Sequence, residues 1–372
     1  CTLAALLYIA IYTNQVNENS NIKWGLTAVS LVFIIIGVVV FQNGPFIRPH
    51  PVLWRAVLAT NILYELCLVY LLFQSKASAR QIMKFLDPSL GVPLPEKSYA
   101  ENCEFNYPNI KYLPSINGMD IFVLAHSLGW FGKALVLRDN FMCWVISILF
   151  EFCEYSLEHQ LPNFAECWWD HWLLDVLICN WLGIYAGMRF CHYFKTYEWG
   201  TFGDAPTIKA KLKRAGAQFT PYSWTSFEWA PTKNLKSYLG YIFFIISFIL
   251  VELNVFYLKY LLWVPPEHFI VIARLALVFL FGLPAAREYY EFYSNPNRKK
   301  LGIHAWMFLI TILTELLVIF KFSKGEFNTP SPKHISAIWL SVFSLMVAFP
   351  IVKFLILPSF SKSKSKSPRP KK

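Results

Sequence analysis

The chain has 372 residues and a formal net charge of +11, with 56% apolar, 18% aromatic and only 15% charged side chains. Apolar runs near the length of a bilayer-spanning helix recur from end to end, which excludes an ordinary soluble protein. Six of the basic charges sit in the closing SKSKSKSPRPKK, and no soluble module carries a basic face with interleaved aromatics, so nucleic acid is excluded as a partner as well.

The predicted fold is an all-α polytopic membrane protein with about ten transmembrane helices and no soluble domain. The spans fall near 2–13, 25–42, 52–73, 120–137, 141–159, 171–191, 238–261, 269–285, 302–320 and 335–357. The first run is short and the chain opens on Cys1 rather than Met, so a preceding piece is expected. Residues 1–357 read as one membrane-embedded catalytic unit, and 358–372 as a basic, disordered tail. Lysines and arginines concentrate in the 42–51 link, at Arg138, in 192–237, in 286–301 and in the tail, which assigns those segments to the cytosol. Segments 74–119 and 160–170 then lie on the opposite side.

Within the 42–51 link, Arg48 and His50 stand in GPFIRPHP, a stiff turn of glycine and prolines. Together with Arg214 and Gln218 of KRAGAQFTPYSW and Arg287 of PAAREYY they form a candidate cytosolic site for an anionic lipid, because a guanidinium fork suits phosphate and carboxylate. Snorkelling of each residue taken alone is the competing explanation.

The most informative stretch is 151–180, where Glu151, Glu154, Glu158, Glu166, Asp170 and Asp175, with Asn163 and Asn180, interrupt apolar sequence. A carboxylate at membrane depth costs at least a few kcal/mol unless protonated, paired or metal-bound. Basic partners are nearly absent from 141 to 188. Glu151 and Glu154 share a helix face, with Glu158 one turn on; Pro162 ends that helix, and Glu166 and Asp170 share a face at the start of the next. Asp175 and Asn180 continue down the second span at a rotated angle. Oxygen donors of this kind favour Ca²⁺ or Mg²⁺ over zinc, with Glu151, Glu154, Glu166 and Asp170 as the expected ligands. His126, in VLAHSLGW one or two turns into the preceding span, is the expected general base or nucleophile. His159 and His171 flank the link and read as interfacial.

The eight cysteines show no CxxC spacing. Cys103 and Cys167 fall on the same side and are a candidate pair that spacing alone does not decide. Zinc-finger spacing, a phosphate-binding glycine loop and duplicated halves are all missing. The DxxDGxxAR…GxxxDxxxD pattern of CDP-alcohol phosphotransferases is missing too. A cation-coupled transporter or channel is the alternative reading, and a membrane-bound acyltransferase with an intramembrane histidine is a third.

HQLPNFAECWWDHW (159–172), FQNGPFIRPHP, QFTPYSW and VELNVFYLKY resemble the eukaryotic phosphatidylserine synthases that work by base exchange, through nearly the whole chain. LGVPLPEKSY, EYSLEHQLPNF and WVPPEH are similar to one of the two sister branches of that family. The resemblance implies exchange of the ethanolamine of phosphatidylethanolamine for L-serine, a need for calcium and no nucleotide, residence in the endoplasmic reticulum membrane, and inhibition by the product phosphatidylserine. It marks His126, Glu151, Glu154, Asn163, Glu166, Asp170, Asp175 and Asn180 as essential, of which His126, Asn163, Asp175 and Asn180 are assigned to the chemistry and the other four to Ca²⁺. Self-association as a homodimer is left open.

Overall fold

The computed structural model describes residues 18–44, 50–94, 103, 121–195, 207–212 and 226–357. The helices run in chain order α1 (Glu18–Val40), α2 (Pro51–Leu72), α3 (Lys76–Leu86), α4 (Ile121–Leu137) and α5 (Asn140–Leu157). A 3₁₀ turn (Pro162–Phe164) and a π-helical segment (Asp170–Asn180) follow, and the latter runs straight into α6 (Trp181–Lys195). Then come α7 (Leu235–Leu262), α8 (Phe269–Ser294), α9 (Ile303–Phe322) and α10 (Lys333–Pro350), which is extended by a second π-helical segment, Ile351–Ile356.

Local chemistry sets the starts of these helices. The side chains of His50, Ser75, Asp139, Asn234 and His268 each accept from a backbone N–H two or three residues on, satisfying donors that have no partner within the helix. α2 opens on Pro51, whose missing N–H leaves nothing unpaired there.

Among the described residues, eight helices are long and apolar enough to cross a membrane. α4, with 17 residues, stands at the lower limit of about 17 for a span. The described residues thus hold eight such helices beside α4, and the expected run at 2–13 lies outside them. The 74–119 segment, read from the sequence as a connection, contains the amphipathic α3. Ser75 caps this helix, Ala79 is buried, Lys76 pairs with Glu326, and Arg80 donates to Leu261 O at 2.9 Å while lying 3.5 Å from the Trp263 ring centre.

Two features of the bundle position the site. Along one side, α4 and α6 approach closely because α6 presents Gly183 and Gly187. A side chain at Gly183 would collide with Ser127 O and the Trp130 Cβ, and one at Gly187 with the Ala134 Cβ and Phe131 O. This is the small-xxx-small device of membrane helices, where close backbone approach replaces the hydrophobic effect as the packing force. The same α4 residues, Trp130 and Ala134, belong to a core with Ile146, Phe150, Ile184, Phe244 and Ile249 that joins α4, α5 and α6 to α7. Arg274 on α8 holds Glu315 on α9 through Nε (3.1 Å) and Nη2 (2.7 Å). Tyr64 of α2 and Asn254 of α7 also donate to that carboxylate, at 2.7 and 3.0 Å.

Candidate active site

The acidic cluster forms where the C-terminal half of α5 meets the π-helical segment, with α4 as the third wall. Glu151 and Glu154 lie one turn apart on α5 and are both buried, as their shared face requires. Glu158 follows α5 as its C-cap, is exposed, and takes no part.

The π-helical segment alters the expected register. In an α-helix, residues five apart are rotated by about 140°, which is why Asp175 and Asn180 were expected to drift off the face of Asp170. In a π-helix the backbone hydrogen bond runs from i to i+5, so residues at that spacing stack more nearly over one another. Asp170, Asp175 and Asn180 have this spacing within Asp170–Asn180. His171, four residues before Asp175, is buried on the same segment.

His171 is the residue that sequence reasoning missed. Read as interfacial, it is 4% exposed, with Nδ1 3.1 Å from Glu151 Oε2, 3.9 Å from Glu166 Oε2 and 4.0 Å from Glu154 Oε2. Its Nδ1 is at hydrogen-bond distance from Glu151 alone among these carboxylates. The only available sequence signal was its i, i+4 spacing to Asp175 on a segment whose helix type the sequence does not disclose.

His126, on α4, has a 31% exposed side chain and lies between two carboxylates. Its Nε2 is 3.9 Å from Glu151 Oε1 and its Nδ1 is 3.7 Å from Asp175 Oδ1. Asn180 is fully buried and donates through Nδ2 to Ser147 Oγ at 2.8 Å and to Glu151 Oε1 at 3.4 Å. Glu151 is thus held by His171 on one oxygen and by Asn180 on the other. Glu166 sits on the link, outside the spans, where burial pushes its carboxyl up to about 7, with Asp170 and Glu151 adding to the shift and His171 opposing it. Cys167, next to Glu166, is disulfide-bonded to Cys103.

Two triads bring one ligand atom per residue to within 4.8 Å of each other: His126, Glu151 and Asp175, and Glu151, Glu154 and His171. Asp170 interacts electrostatically with Glu166 but belongs to neither triad. Asn163, in the 3₁₀ turn, is half-buried and makes no side-chain hydrogen bond to the described residues. Two buried polar atoms at the site lack a partner, His171 Nε2 and Asn180 Oδ1.

These donors fit a hard divalent cation. Four carboxylates converge with an unpartnered amide oxygen, Asn180 Oδ1, matching the oxygen-rich shells of Ca²⁺. Two imidazoles, of His126 and His171, also lie within 4 Å of the carboxylates. His171 is engaged with Glu151 through Nδ1, the arrangement of a group that orients a metal-binding carboxylate.

Of the expected lipid-binding set, His50 caps α2 by accepting from Val52 N at 3.2 Å, and Arg287 on α8 donates to Glu291 at 2.8 Å. Arg287 lines a cavity of about 540 Å³ with Glu228, Tyr290 and Arg298. Arg48, Arg214 and Gln218 lie outside the described residues.

Comparison with known proteins identifies the family. The family described as "Phosphatidyl serine synthase" matches residues 49–323. "Phosphatidylserine synthase 2" of Danio rerio is 45% identical over 359 residues, spanning 95% of this chain and 79% of that protein. The Homo sapiens protein of the same name is 45% identical, over 96% and 74% of the two lengths. "CDP-diacylglycerol--serine O-phosphatidyltransferase 2" of Oryza sativa subsp. japonica is 42% identical over 89% of this chain and 80% of its own length. With a family match across most of the bundle and relatives this similar over nearly the whole length, the transporter and acyltransferase readings fall away, and the chain belongs to the phosphatidylserine synthase family of multi-pass membrane enzymes.

Proposed function

We propose that this enzyme makes phosphatidylserine by calcium-dependent base exchange, with L-serine replacing the ethanolamine of phosphatidylethanolamine. The supporting observation is His126, the partly exposed imidazole suspended between Glu151 and Asp175 at distances too long for hydrogen bonds. A hydroxyl proton taken by one ring nitrogen leaves an imidazolium that the carboxylate opposite the other nitrogen stabilises. The serine oxygen forms its bond to phosphorus as the bond to the ethanolamine oxygen breaks, and His126 returns the proton to that leaving oxygen. Bound Ca²⁺ would supply charge neutralisation at the phosphate, held by Glu151, Glu154, Glu166 and Asp175, with Asp170 close by. His171 and Asn180 keep the two Glu151 oxygens in place, and the buried setting limits water as a competing acceptor.

The endoplasmic reticulum is the proposed membrane, with the cluster toward its lumen. The Cys103–Cys167 bond beside the cluster supports that orientation, since disulfides persist in oxidising compartments. Lys233 and Lys236 at the start of α7, with Arg298, Lys299 and Lys300 just after α8, support it from the opposite side.

A second reading has a specific basis. The rice relative's name specifies CDP-diacylglycerol as donor, although this sequence lacks the CDP-alcohol phosphotransferase pattern. The deciding experiment offers purified enzyme labelled L-serine with either phosphatidylethanolamine or CDP-diacylglycerol, with and without a calcium chelator. Chelator-sensitive product with stoichiometric ethanolamine release is expected. Product formed only from CDP-diacylglycerol, with CMP released, would overturn base exchange.

A further inference from the structure

A groove on the outer face of the bundle lies at the end away from the acidic cluster. It runs between the start of α7, the end of α8 and the start of α9, encloses about 1070 Å³, and is largely apolar. Leu239 and Phe243 form the α7 wall, and Trp306 and Leu309 the α9 wall. The floor is built from α8: the Tyr289 hydroxyl donates to Gly240 O at 2.7 Å. A Cβ on Gly240 would stand 2.9 Å from the Tyr293 ring, so only glycine lets that ring lie against the α7 backbone.

Three lysines, Lys236, Lys299 and Lys300, line the same groove, and no acidic residue does. All three are exposed and none forms an ion pair among the described residues, while Glu291 at the same end of α8 is taken by Arg287 and Arg298. A slot with greasy walls and an unopposed cluster of ammonium groups at the end of the spans has the two-part chemistry of one lipid class. We propose that this groove binds a single anionic glycerophospholipid, with its phosphate on Lys236, Lys299 and Lys300 and an acyl chain along Leu239, Phe243 and Trp306. A zwitterionic lipid fits worse, because its headgroup ammonium would be set among three lysines. The groove is separate from the cavity lined by Arg287 and from the acidic cluster.

The test uses the full chain in phosphatidylcholine nanodiscs carrying a few per cent of phosphatidylglycerol with a photoreactive acyl chain, a lipid with no amino-alcohol headgroup to exchange. Labelling should fall on the start of α9 around Trp306, and excess phosphatidylglycerol should compete while phosphatidylcholine does not. Replacing Lys236, Lys299 and Lys300 together by glutamine should cut that labelling by about tenfold or more. Leu239→Trp, which keeps every charge but fills the slot, should cut it similarly, and phosphatidylserine formation in vesicles free of phosphatidylglycerol should stay within about twofold of wild type in both variants. Equal competition by phosphatidylcholine would overturn the proposal. So would full labelling of Leu239→Trp alongside loss in the lysine variant, which would mean surface attraction without a groove site.

Discussion

His171 Nδ1 stands 3.1 Å from Glu151 Oε2, a hydrogen bond between the π-helical segment and α5 that fixes the one carboxylate common to both candidate metal triads. Removing the imidazole frees Glu151 to rotate without deleting a carboxylate. His171→Ala should therefore lower phosphatidylserine formation by about 10- to 100-fold and raise the calcium concentration for half-maximal activity. Unchanged calcium dependence in a variant of normal abundance would show that the bond has no part in metal binding.

His126→Ala should behave differently. The carboxylates and their hydrogen bonds remain, so calcium-45 binding to purified protein should stay near wild type while exchange falls to background. Retained exchange with weakened calcium binding would make His126 a ligand rather than a proton carrier. Phosphate trapped on His126 after incubation with phospholipid alone would replace direct exchange by a covalent route.

The sequence disclosed the membrane class, most of the spans and the acidic cluster, because intramembrane charge is costly enough to stand out from its surroundings. Glu151 and Glu154 were legible as a pair since their three-residue spacing means the same thing in any α-helix. His171 was not, because an imidazole at the edge of a span reads as interfacial, and only the packing of Asp170–Asn180 against α5 shows that it reaches Glu151. The amphipathic α3 was hidden by its eleven-residue length, too short for a span and set within a connection. Arg274 and Glu315, 41 positions apart, carry no mark of their pairing in local spacing.

Gly183 and Gly187 link packing to chemistry. They allow α4, which carries His126, to lie against the helix continuous with the π-helical segment, which carries Asp175. Gly183→Val should push α4 outward by meeting Ser127 O and Trp130, and a displacement on the order of 1 Å between reacting groups costs about 100-fold in rate. The turnover number should fall while the protein still purifies as a folded species. Full activity in Gly183→Val would mean that α4 and α6 need not touch for the site to form.

The Arg274–Glu315 pair allows a stability prediction with a definite ranking. Their side chains are 10% and 2% exposed, so neither charge has much access to water. Glu315 accepts from three helices at once, through Tyr64, Asn254 and Arg274. Glu315→Leu leaves the Tyr64 hydroxyl without its acceptor and a guanidinium unable to shed its proton with only Val251 O, while Asn254 keeps Ile312 O, and it should cost about 3–5 kcal/mol. Arg274→Met leaves Glu315 with two donors and the option of taking up a proton, so it should cost clearly less. The double variant removes both charges and should recover part of the Glu315→Leu loss, because a buried pair replaced by apolar groups of similar volume is often close to neutral. Thermal unfolding in detergent followed by tryptophan fluorescence gives the order: wild type, Arg274→Met, the double variant, then Glu315→Leu. If Arg274→Met unfolds at or below the temperature of Glu315→Leu, the carboxylate is not the hub of this network, and the guanidinium must make contacts elsewhere that matter more.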